Sequence, residues 1–471
     1  MIMVRISSGI KGLDLILKGG FIKGRAYLIK GGPGTGKTLF GLHFLAEGAR
    51  KGEKVVCILF DESEDEVKAQ AEDFKIPVDS IEFVDKLTEV NILSQDIMFW
   101  DTDTKSEVFS FIQSIDDVTK DADRVFIDGI GVISDMVKDL ALYRRILSTI
   151  MYKLSASGTT TLISAEAYKE VGREVISYIM SGEIVLDRIE KNGKILKVLR
   201  LLKFRGDAYV GDHYFEIKPK SLEVYPIIPY EPKKIWKREV ISTGSRELDE
   251  MFKGGIVRGS YLIIAGKTGV GKTNLSLQIL IENDRRGEKG IFYSFDEHED
   301  VILERIQRIF GYEPKNLIVK ECMDLSSIGE FYNTVVEDFK EYSPSVVVID
   351  PINVLELYGI SKEHIVDVIS KLGRMLKSSG CLVIGVVETP EAVDVFHLTG
   401  YGISYFADYL LIGRHVEFEG ELLKAIAVVK NRFGDHERTF RILDIKDGEG
   451  LKIGAPLKYY TGIIEGKFKR I

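Results

Sequence analysis

The chain of 471 residues has few of the features that mark secreted, membrane-spanning or disulfide-stabilised proteins. Its three cysteines, Cys57, Cys322 and Cys381, are far apart and form no Cys-x-x-Cys motif, which argues against a disulfide framework and a cysteine-based zinc site. No apolar run approaches the roughly 18 residues that a membrane-spanning helix needs, and no signal-peptide pattern opens the chain. We therefore expect a cytoplasmic protein without a membrane partner.

Positive charge is not in excess either. The 64 lysines and arginines are outnumbered by 72 aspartates and glutamates, which gives a net charge of −8 at pH 7. This balance argues against a surface that binds nucleic acid throughout, so nucleic acid is not a favoured partner, although a local basic channel would be compatible with it. Low-complexity tracts are also missing, and the chain is too long for a single core, so we expect two or three domains.

The first half contains a phosphate-binding loop of the pattern G-x-x-x-x-G-K-[ST], made of Gly31, Gly32, Pro33, Gly34, Thr35, Gly36, Lys37 and Thr38. In such a loop the backbone amides converge on the phosphates, the lysine reaches the β- and γ-phosphates, and the last hydroxyl binds Mg²⁺. Residues 26–30 before the loop have the pattern of a buried strand, and residues 39–50 after it have that of a helix. A nucleotide and Mg²⁺ are the predicted ligands.

The second half repeats the motif as Gly266, Lys267, Thr268, Gly269, Val270, Gly271, Lys272 and Thr273. This loop lies 235 residues after the first, again between a predicted strand (261–265) and a predicted helix (274–281). The same offset aligns residues 6–9 with 241–244 and residues 60–62 with 295–297. An unbroken register over some sixty residues indicates the duplication of a whole domain.

Strand and helix patterns alternate after both loops. We predict strands at 124–128, 159–164, 346–350 and 381–387, helices at 142–154 and 365–376, and a late antiparallel strand in each half at 195–204 and 425–430. Such alternation is typical of an α/β fold with a mainly parallel, twisted sheet flanked by helices. A proline-rich segment separates the halves, so we predict a first domain at 1–228, a linker at 229–238 and a second domain at 239–471.

Two aspartates are candidates for holding Mg²⁺. Asp128 and Asp350 each end an apolar strand, where a carboxylate suits the metal of a nucleotide site. The alternative is that each aspartate caps the following helix.

Acidic pairs follow the strand after each phosphate-binding helix: Asp61 with Glu62, and Asp296 with Glu297. Ligands of open α/β sheets gather at this carboxyl edge, so one carboxylate of each pair is a candidate for orienting or deprotonating the attacking water. The alternative is a favourable negative charge at a helix start. The residues leave open which member of each pair would act.

Basic pairs end the late strands: Lys203 with Arg205, and Lys430 with Arg432. Such residues are usually solvated side chains of an edge strand. Their recurrence raises the alternative that they stabilise phosphate charge. Contact with a neighbouring subunit's nucleotide would require an oligomer. Ser404 lies in a hydroxyl-rich stretch, and on spacing alone it is an ordinary turn residue.

Together these motifs resemble the KaiC family, within the RecA/DnaB superfamily of ring-forming ATPases, over nearly the whole chain. The resemblance implies two tandem RecA-like ATPase domains, a homohexamer, and ATP with Mg²⁺ at the subunit interfaces. It implies phosphate and Mg²⁺ roles for Lys37, Thr38, Lys272 and Thr273, and contact with the adjacent subunit's nucleotide for both basic pairs. His436 matches a histidine just beyond the second pair, whereas Tyr209 stands at that place in the first half.

The sequence departs from the family in several places. The water-activating pair is commonly Glu-Glu in the family, but its first member here is Asp61 or Asp296. The clock members' adjacent Ser-Thr phosphorylation pair maps onto Ser404 and Tyr405, so only the serine survives as a candidate phosphosite. These differences favour a non-clock, prokaryotic or archaeal type of KaiC-like protein.

The leading hypothesis is a hexameric Mg²⁺-dependent ATPase that acts as a conformational switch. A weak autokinase activity at Ser404 is an additional hypothesis. A second hypothesis is an ATP-regulated signalling scaffold with little turnover, motivated by the Asp-for-Glu differences. A third is a DNA-stimulated recombinase- or helicase-type ATPase, which the acidic net charge disfavours. The sequence does not specify a protein partner.

Overall fold

The structure is a computed structural model, and the residues that it describes are 3–85, 102–131, 133, 140–166, 173–191, 194–228, 239–358, 362–389, 406–418, 420–458, 460–461 and 469–470. The chain forms two compact units, Met1–Ile228 and Pro229–Ile471. The predicted linker 229–238 and the predicted phosphosite Ser404 lie outside the described residues.

The first unit alternates strands and helices before it ends in an antiparallel region. Its strands are β1 Arg5–Ile6, β2 Phe21–Ile22, β3 Ala26–Gly31, β4 Val55–Leu59, β5 Glu82–Asp85, β6 Arg124–Asp128, β7 Thr160–Glu166, β8 Gly182–Lys191, β9 Lys194–Phe204, β10 Gly211–Lys218 and β11 Ser221–Tyr225. Its helices are α1 Leu13–Ile16, α2 Lys37–Arg50, α3 Glu64–Asp73, α4 Thr102–Val118, α5 Leu140–Ala156 and α6 Arg173–Ile179.

The second unit repeats this order. Its strands are β12 Val240–Ile241, β13 Ile256–Val257, β14 Tyr261–Gly266, β15 Gly290–Ser294, β16 Leu317–Glu321, β17 Val346–Asp350, β18 Leu382–Glu388, β19 Tyr409–Phe418, β20 Glu421–Asn431, β21 Arg441–Lys446, β22 Gly450–Pro456, β23 Tyr460–Thr461 and β24 Lys469–Arg470. Its helices are α7 Arg246–Met251, α8 Lys272–Arg285, α9 Glu299–Phe310, α10 Ile328–Tyr342 and α11 Lys362–Ser378, with a 3₁₀ helix at Ile352–Tyr358.

Each unit is built on a nine-stranded, mixed sheet. The strand order is β11-β10-β9-β8-β3-β7-β6-β4-β5 in the first unit and β16-β15-β17-β18-β14-β19-β20-β21-β22 in the second. In the first sheet the neighbouring strands β8, β3, β7, β6, β4 and β5 run parallel, and in the second the strands β16, β15, β17, β18, β14 and β19 do so. The remaining strands of each sheet pair antiparallel. The predicted α/β fold, two tandem RecA-like domains with mainly parallel sheets, is therefore confirmed.

The helix after the phosphate-binding loop packs closely on the sheet in the first unit. Leu39, Phe40 and Phe44 of α2 are buried in the core. Gly41 faces the Phe126 ring so closely that a Cβ atom there would lie 2.3 Å from it. Close packing of this kind needs a glycine, and it holds the first part of α2 against β6.

The predicted strands at 124–128 and 346–350 are confirmed at both ends, whereas several helices are longer than predicted. The helix predicted at 39–50 begins at Lys37, and the helix predicted at 142–154 spans Leu140–Ala156. Outside the predicted antiparallel strands β9 and β20, the sheets continue with β10 and β11 or with β21 and β22, which no motif in the sequence indicated. Within the described part of the chain, no helix has the length and apolar character of a transmembrane segment.

Candidate nucleotide-binding sites

The two phosphate-binding loops have the same local structure. Each joins the end of a central parallel strand, β3 or β14, to the first residue of the next helix. Gly36 and Gly271 immediately precede these helices with φ angles of 94° and 100°, in the left-handed region that favours glycine. A Cβ atom at either position would lie 2.7 Å from the side chain of Ile217 or Ile445. Gly36 and Gly271 are thus required by both the backbone conformation and the close approach of the late strands.

The motif lysines lie over their own loops. Lys37 Nζ donates hydrogen bonds of 3.1 Å to the carbonyl oxygens of Gly31 and Gly32. Lys272 Nζ donates one of 2.9 Å to the carbonyl oxygen of Lys267. Burial lowers the pKa of Lys272, although the nearby Glu388 and other carboxylates oppose this shift. A phosphate would offer these ammonium groups a stronger, charged acceptor.

A cavity of about 730 Å³ lies over the first loop. It brings together several of the residues proposed from the sequence, Lys37, Thr38, Asp61, Glu62 and Asp128. The cavity has a size typical of small-molecule sites. The register of the parallel strands explains the grouping, because β4 and β6 are neighbours and their carboxyl ends lie side by side.

Asp128, the last residue of β6, is buried with both carboxylate oxygens hydrogen-bonded. Thr38 Oγ1 donates to Asp128 Oδ2 over 2.8 Å, and Ser164 Oγ donates to Oδ1. Burial raises the pKa of Asp128, and the bonds from Ser164 and Thr38 oppose this shift. Thr38 and Asp128 thus form a pair of hard oxygen ligands, which are the donors that Mg²⁺ prefers.

Asp350 occupies the equivalent position at the end of β17 and is 4% exposed. Its Oδ2 atom has no hydrogen-bond partner among the described residues. Burial raises the pKa of Asp350 to about 7, Asp296 adds to the shift, and a hydrogen bond with Thr273 and the Lys272 charge oppose it. A buried carboxylate oxygen without a partner is costly unless a cation or water reaches it. Thr273 and Asp350 therefore also fit a Mg²⁺ site.

The acidic pair of the first unit follows β4. Gln70 Nε2 in α3 donates a 2.8 Å hydrogen bond to Glu62 Oε2. Burial raises the pKa of Glu62, and the charge of Asp128 adds to the shift. Asp61 lies against Gly129, where a Cβ atom would be 2.3 Å from Asp61 Oδ2. Both carboxyl groups line the cavity, where either could contact the attacking water, and the pKa of Glu62 lies above its usual value.

The acidic pair of the second unit has a different partner. Arg305 in α9 forms a two-pronged ion pair with Glu297, in which Nη1 donates to Oε2 over 2.6 Å and Nη2 donates to Oε1. Burial raises the pKa of Asp296, and the neighbouring Glu297 charge adds to this shift. The two units therefore present the same carboxyl groups in different electrostatic surroundings.

The basic pairs lie at the ends of β9 and β20. Lys203 Nζ donates to the carbonyl oxygen of Ser177 over 2.6 Å, and Arg205 Nη2 donates to that of Tyr178 over 3.0 Å. Neither residue is among those that line the cavity of the first unit. Burial lowers the pKa of Lys203, and the adjacent Arg205 adds to this effect.

The second pair lies beside the carboxylate of Asp408. Arg432 Nη1 is 3.9 Å from Asp408 Oδ1. Burial lowers the pKa of Lys430, and the adjacent Arg432 charge adds to the shift. Burial likewise lowers the pKa of His436, just beyond the pair. The two pairs thus hold concentrated positive charge at corresponding strand ends.

Two residues at the loops were not indicated by any sequence motif. Arg188 in β8 donates through Nη2 to the carbonyl oxygen of Gly34. At the equivalent place in β19, His415 Nε2 lies 3.1 Å from the carbonyl oxygen of Thr268. Aligning β8 with β19 pairs these two residues. Nothing in the sequence, however, indicates that either side chain contacts the loop.

Taken together, a phosphate-binding loop between a parallel strand and a helix, and an aspartate at a neighbouring strand end, define a P-loop nucleotide-binding domain with a RecA-like α/β fold. The arrangement occurs twice in this chain. A family model described as the KaiC ATPase matches residues 6–228 and 241–458. The chain therefore belongs to the KaiC family of ATPases, and this membership implies an ATP-binding P-loop ATPase.

Comparison with curated proteins gives the same family. The chain is 25% identical to the circadian clock protein KaiC3 of Synechocystis sp., over 98% of this chain and 94% of the relative. It is 26% identical to the circadian clock oscillator protein KaiC of Prochlorococcus marinus, over 99% and 96% of the two chains. It is also 26% identical to the protein of that name from Acaryochloris marina, over 100% and 92%.

Proposed function

We propose that this protein is a Mg²⁺-dependent ATPase that assembles as a homohexamer and uses hydrolysis to switch conformation. The grouping of Lys37, Thr38, Glu62 and Asp128 around one cavity is the observation that carries this proposal. In this proposal, the two compact units are the ATPase domains predicted at 1–228 and 239–471, joined by the segment 229–238.

The proposed roles follow from the chemistry of each group. The glycine-rich backbone and the motif lysine bind the phosphates, while Thr38 with Asp128 and Thr273 with Asp350 would hold Mg²⁺. When bound, the ion would offset the negative charge of the phosphate oxygens. Glu62 orients the attacking water and accepts its proton, since its carboxylate lies in the cavity and Gln70 fixes its position.

The basic pairs supply positive charge to a neighbouring subunit's nucleotide. Lys203 and Arg205 lie away from the cavity of their own unit, so they would act across an interface. In phosphoryl transfer such a residue stabilises the charge that develops in the transition state. Lys430 and Arg432 would act in the same way in the second unit.

Light scattering tests the assembly. With ATP and Mg²⁺ at micromolar protein concentration, we expect a mass of about six chains, in line with the closed symmetry of most soluble oligomers. A monomer under all nucleotide conditions would contradict the proposed action across an interface. The autokinase addition rests on the resemblance alone, because Ser404 lies outside the described residues.

A specific observation also favours the scaffold hypothesis for the second site. The ion pair between Glu297 and Arg305 occupies the carboxylate that would otherwise act on water. A site of this kind would hold nucleotide and turn it over slowly. Tight nucleotide binding with very slow hydrolysis by the whole chain would favour this second function over the first.

A further inference from the structure

The helix after each acidic pair carries a different residue at one equivalent position. Gln70 in α3 and Arg305 in α9 are related by the same 235-residue offset that relates the two phosphate-binding loops. Each lies eight residues after the second member of its acidic pair, Glu62 or Glu297. Each side chain turns back to that glutamate.

The two contacts differ in charge and in number. Gln70 donates one hydrogen bond, of 2.8 Å, to one oxygen of Glu62. Arg305 donates to both oxygens of Glu297 with the two terminal nitrogens of its guanidinium group. An amide orients a carboxylate but leaves its charge uncompensated, whereas a guanidinium fixes both oxygens and cancels the charge.

This difference bears on the proposed reaction. A general base must approach the water within hydrogen-bond distance, and it must gain a proton in the transition state. Glu62 keeps one oxygen that no described residue engages in a hydrogen bond, and this oxygen can accept from water. Glu297 can accept a proton only at the expense of its ion pair with Arg305.

The ion pair is also partly shielded from solvent. The side chains of Arg305 and Glu297 are 21% and 27% exposed. By contrast, Arg308 on the same helix forms a pair with Asp447 in which the side chains are 58% and 70% exposed. The Arg305 pair is therefore less screened by water than an ordinary surface pair.

We propose that Arg305 is a positioning residue that restrains Glu297 and slows hydrolysis at the second site, whereas Gln70 leaves Glu62 competent at the first. This inference rests on the proposed ATPase function. Its consequence is a division of labour, in which the first unit turns over ATP and the second retains it.

The test uses the full-length protein with one site silenced at a time. In a Lys37→Ala background, which reports on the second site, Arg305→Gln should raise kcat about fivefold, the effect of releasing one partly shielded ion pair. KM for ATP should stay within about twofold, because Arg305 contacts the carboxylate and not the loop. Arg305→Lys keeps the positive charge, so its kcat should stay close to the slow kcat of the Lys37→Ala parent.

The reciprocal change tests the first site. In a Lys272→Ala background, Gln70→Arg should lower kcat about fivefold with KM nearly unchanged. Arg308→Gln in the Lys37→Ala background is the matched control, since it removes a charge from the same helix without contacting the acidic pair. We expect this control to leave kcat unaltered.

The outcomes separate this inference from the proposed function. If Arg305→Gln leaves kcat at the level of the Arg308→Gln control, lowers it, or changes KM alone, the restraint by Arg305 is wrong while the ATPase function stands. If the unmodified chain hydrolyses no ATP although a fluorescent ATP analogue binds, the ATPase function fails and this inference fails with it.

Discussion

Thr38 Oγ1 donates a 2.8 Å hydrogen bond to Asp128 Oδ2, which joins the end of the phosphate-binding loop to the end of β6. The bond holds two hard oxygen ligands together in the cavity that also contains Lys37 and Glu62. Because the ligands are already positioned by the fold, little ordering is needed when Mg²⁺ and phosphate bind.

Removing the Thr38 hydroxyl should therefore weaken the binding of Mg²⁺ at the first site. In a Lys272→Ala background, we expect Thr38→Val to raise the Mg²⁺ concentration needed for half-maximal ATP hydrolysis by about tenfold or more. Thr38→Ser keeps the hydroxyl and serves as the control. An unchanged Mg²⁺ requirement in Thr38→Val would contradict the assignment of this threonine.

Asp350 should make the stability of the nucleotide-free protein depend on pH. Its pKa is raised from 3.8 to about 7, so the stability that it contributes is fully present below 3.8 and is lost as pH rises through about 7. Asp350→Asn should consequently increase the unfolding free energy at pH 8 by on the order of 1 kcal/mol, and by less at pH 5.

Thermal or denaturant unfolding of the nucleotide-free chain at both pH values measures this effect. Asp128→Asn is the matched comparison, because both oxygens of Asp128 already have hydrogen-bond donors, and its gain should be smaller. A lower stability of Asp350→Asn at pH 8 would show that the Asp350 carboxylate is compensated in the folded protein.

Glu62 should be the more important member of the first acidic pair. In the Lys272→Ala background, Glu62→Gln should lower kcat by about 10²-fold or more and leave ATP binding nearly intact, because it removes a proton acceptor and not a phosphate contact. The same loss in Asp61→Asn with none in Glu62→Gln would transfer the role to Asp61. Single-turnover hydrolysis and nucleotide titration distinguish these results.

The basic residues should act between subunits, and mixing two inactive variants tests this directly. One variant is Lys37→Ala with Lys272→Ala, and the other is Arg205→Ala with Lys272→Ala. Alone, the second should lose about 10³-fold in kcat, as expected for a charge-stabilising arginine. Mixed before assembly, the two should regain activity, because intact loops then face intact arginines. No recovery from mixed oligomers would contradict action across the interface.

Much of this architecture could be predicted from the sequence because the decisive residues lie next to each other in the chain. The loops lie between a strand and a helix, and Asp128 and Asp350 end buried strands. The order of the elements therefore predicts that these residues meet at the carboxyl edge of the sheet. The contacts of Arg188 and Arg305 could not be predicted in this way. They depend on how side chains from later elements reach back to the loop or to the acidic pair.

The late antiparallel strands show the same limit. Gly36 must be glycine partly because Ile217 of β10 approaches it, yet β10 carries no motif that marks it as a neighbour of the loop. The repeat did contain a usable signal, since the 235-residue offset aligns Gln70 with Arg305 and reveals a change of charge. Its meaning required the structure, which shows that both side chains contact a glutamate of the acidic pair.

The most direct measurement of the central claim is steady-state ATP hydrolysis by the purified chain, compared with Lys37→Ala, Lys272→Ala and the double variant. We predict that the unmodified chain hydrolyses ATP, that Lys37→Ala removes most of the activity, and that the double variant has none. If the unmodified chain were no faster than the double variant while still binding ATP, the protein would be a nucleotide-binding scaffold and the ATPase account would be wrong.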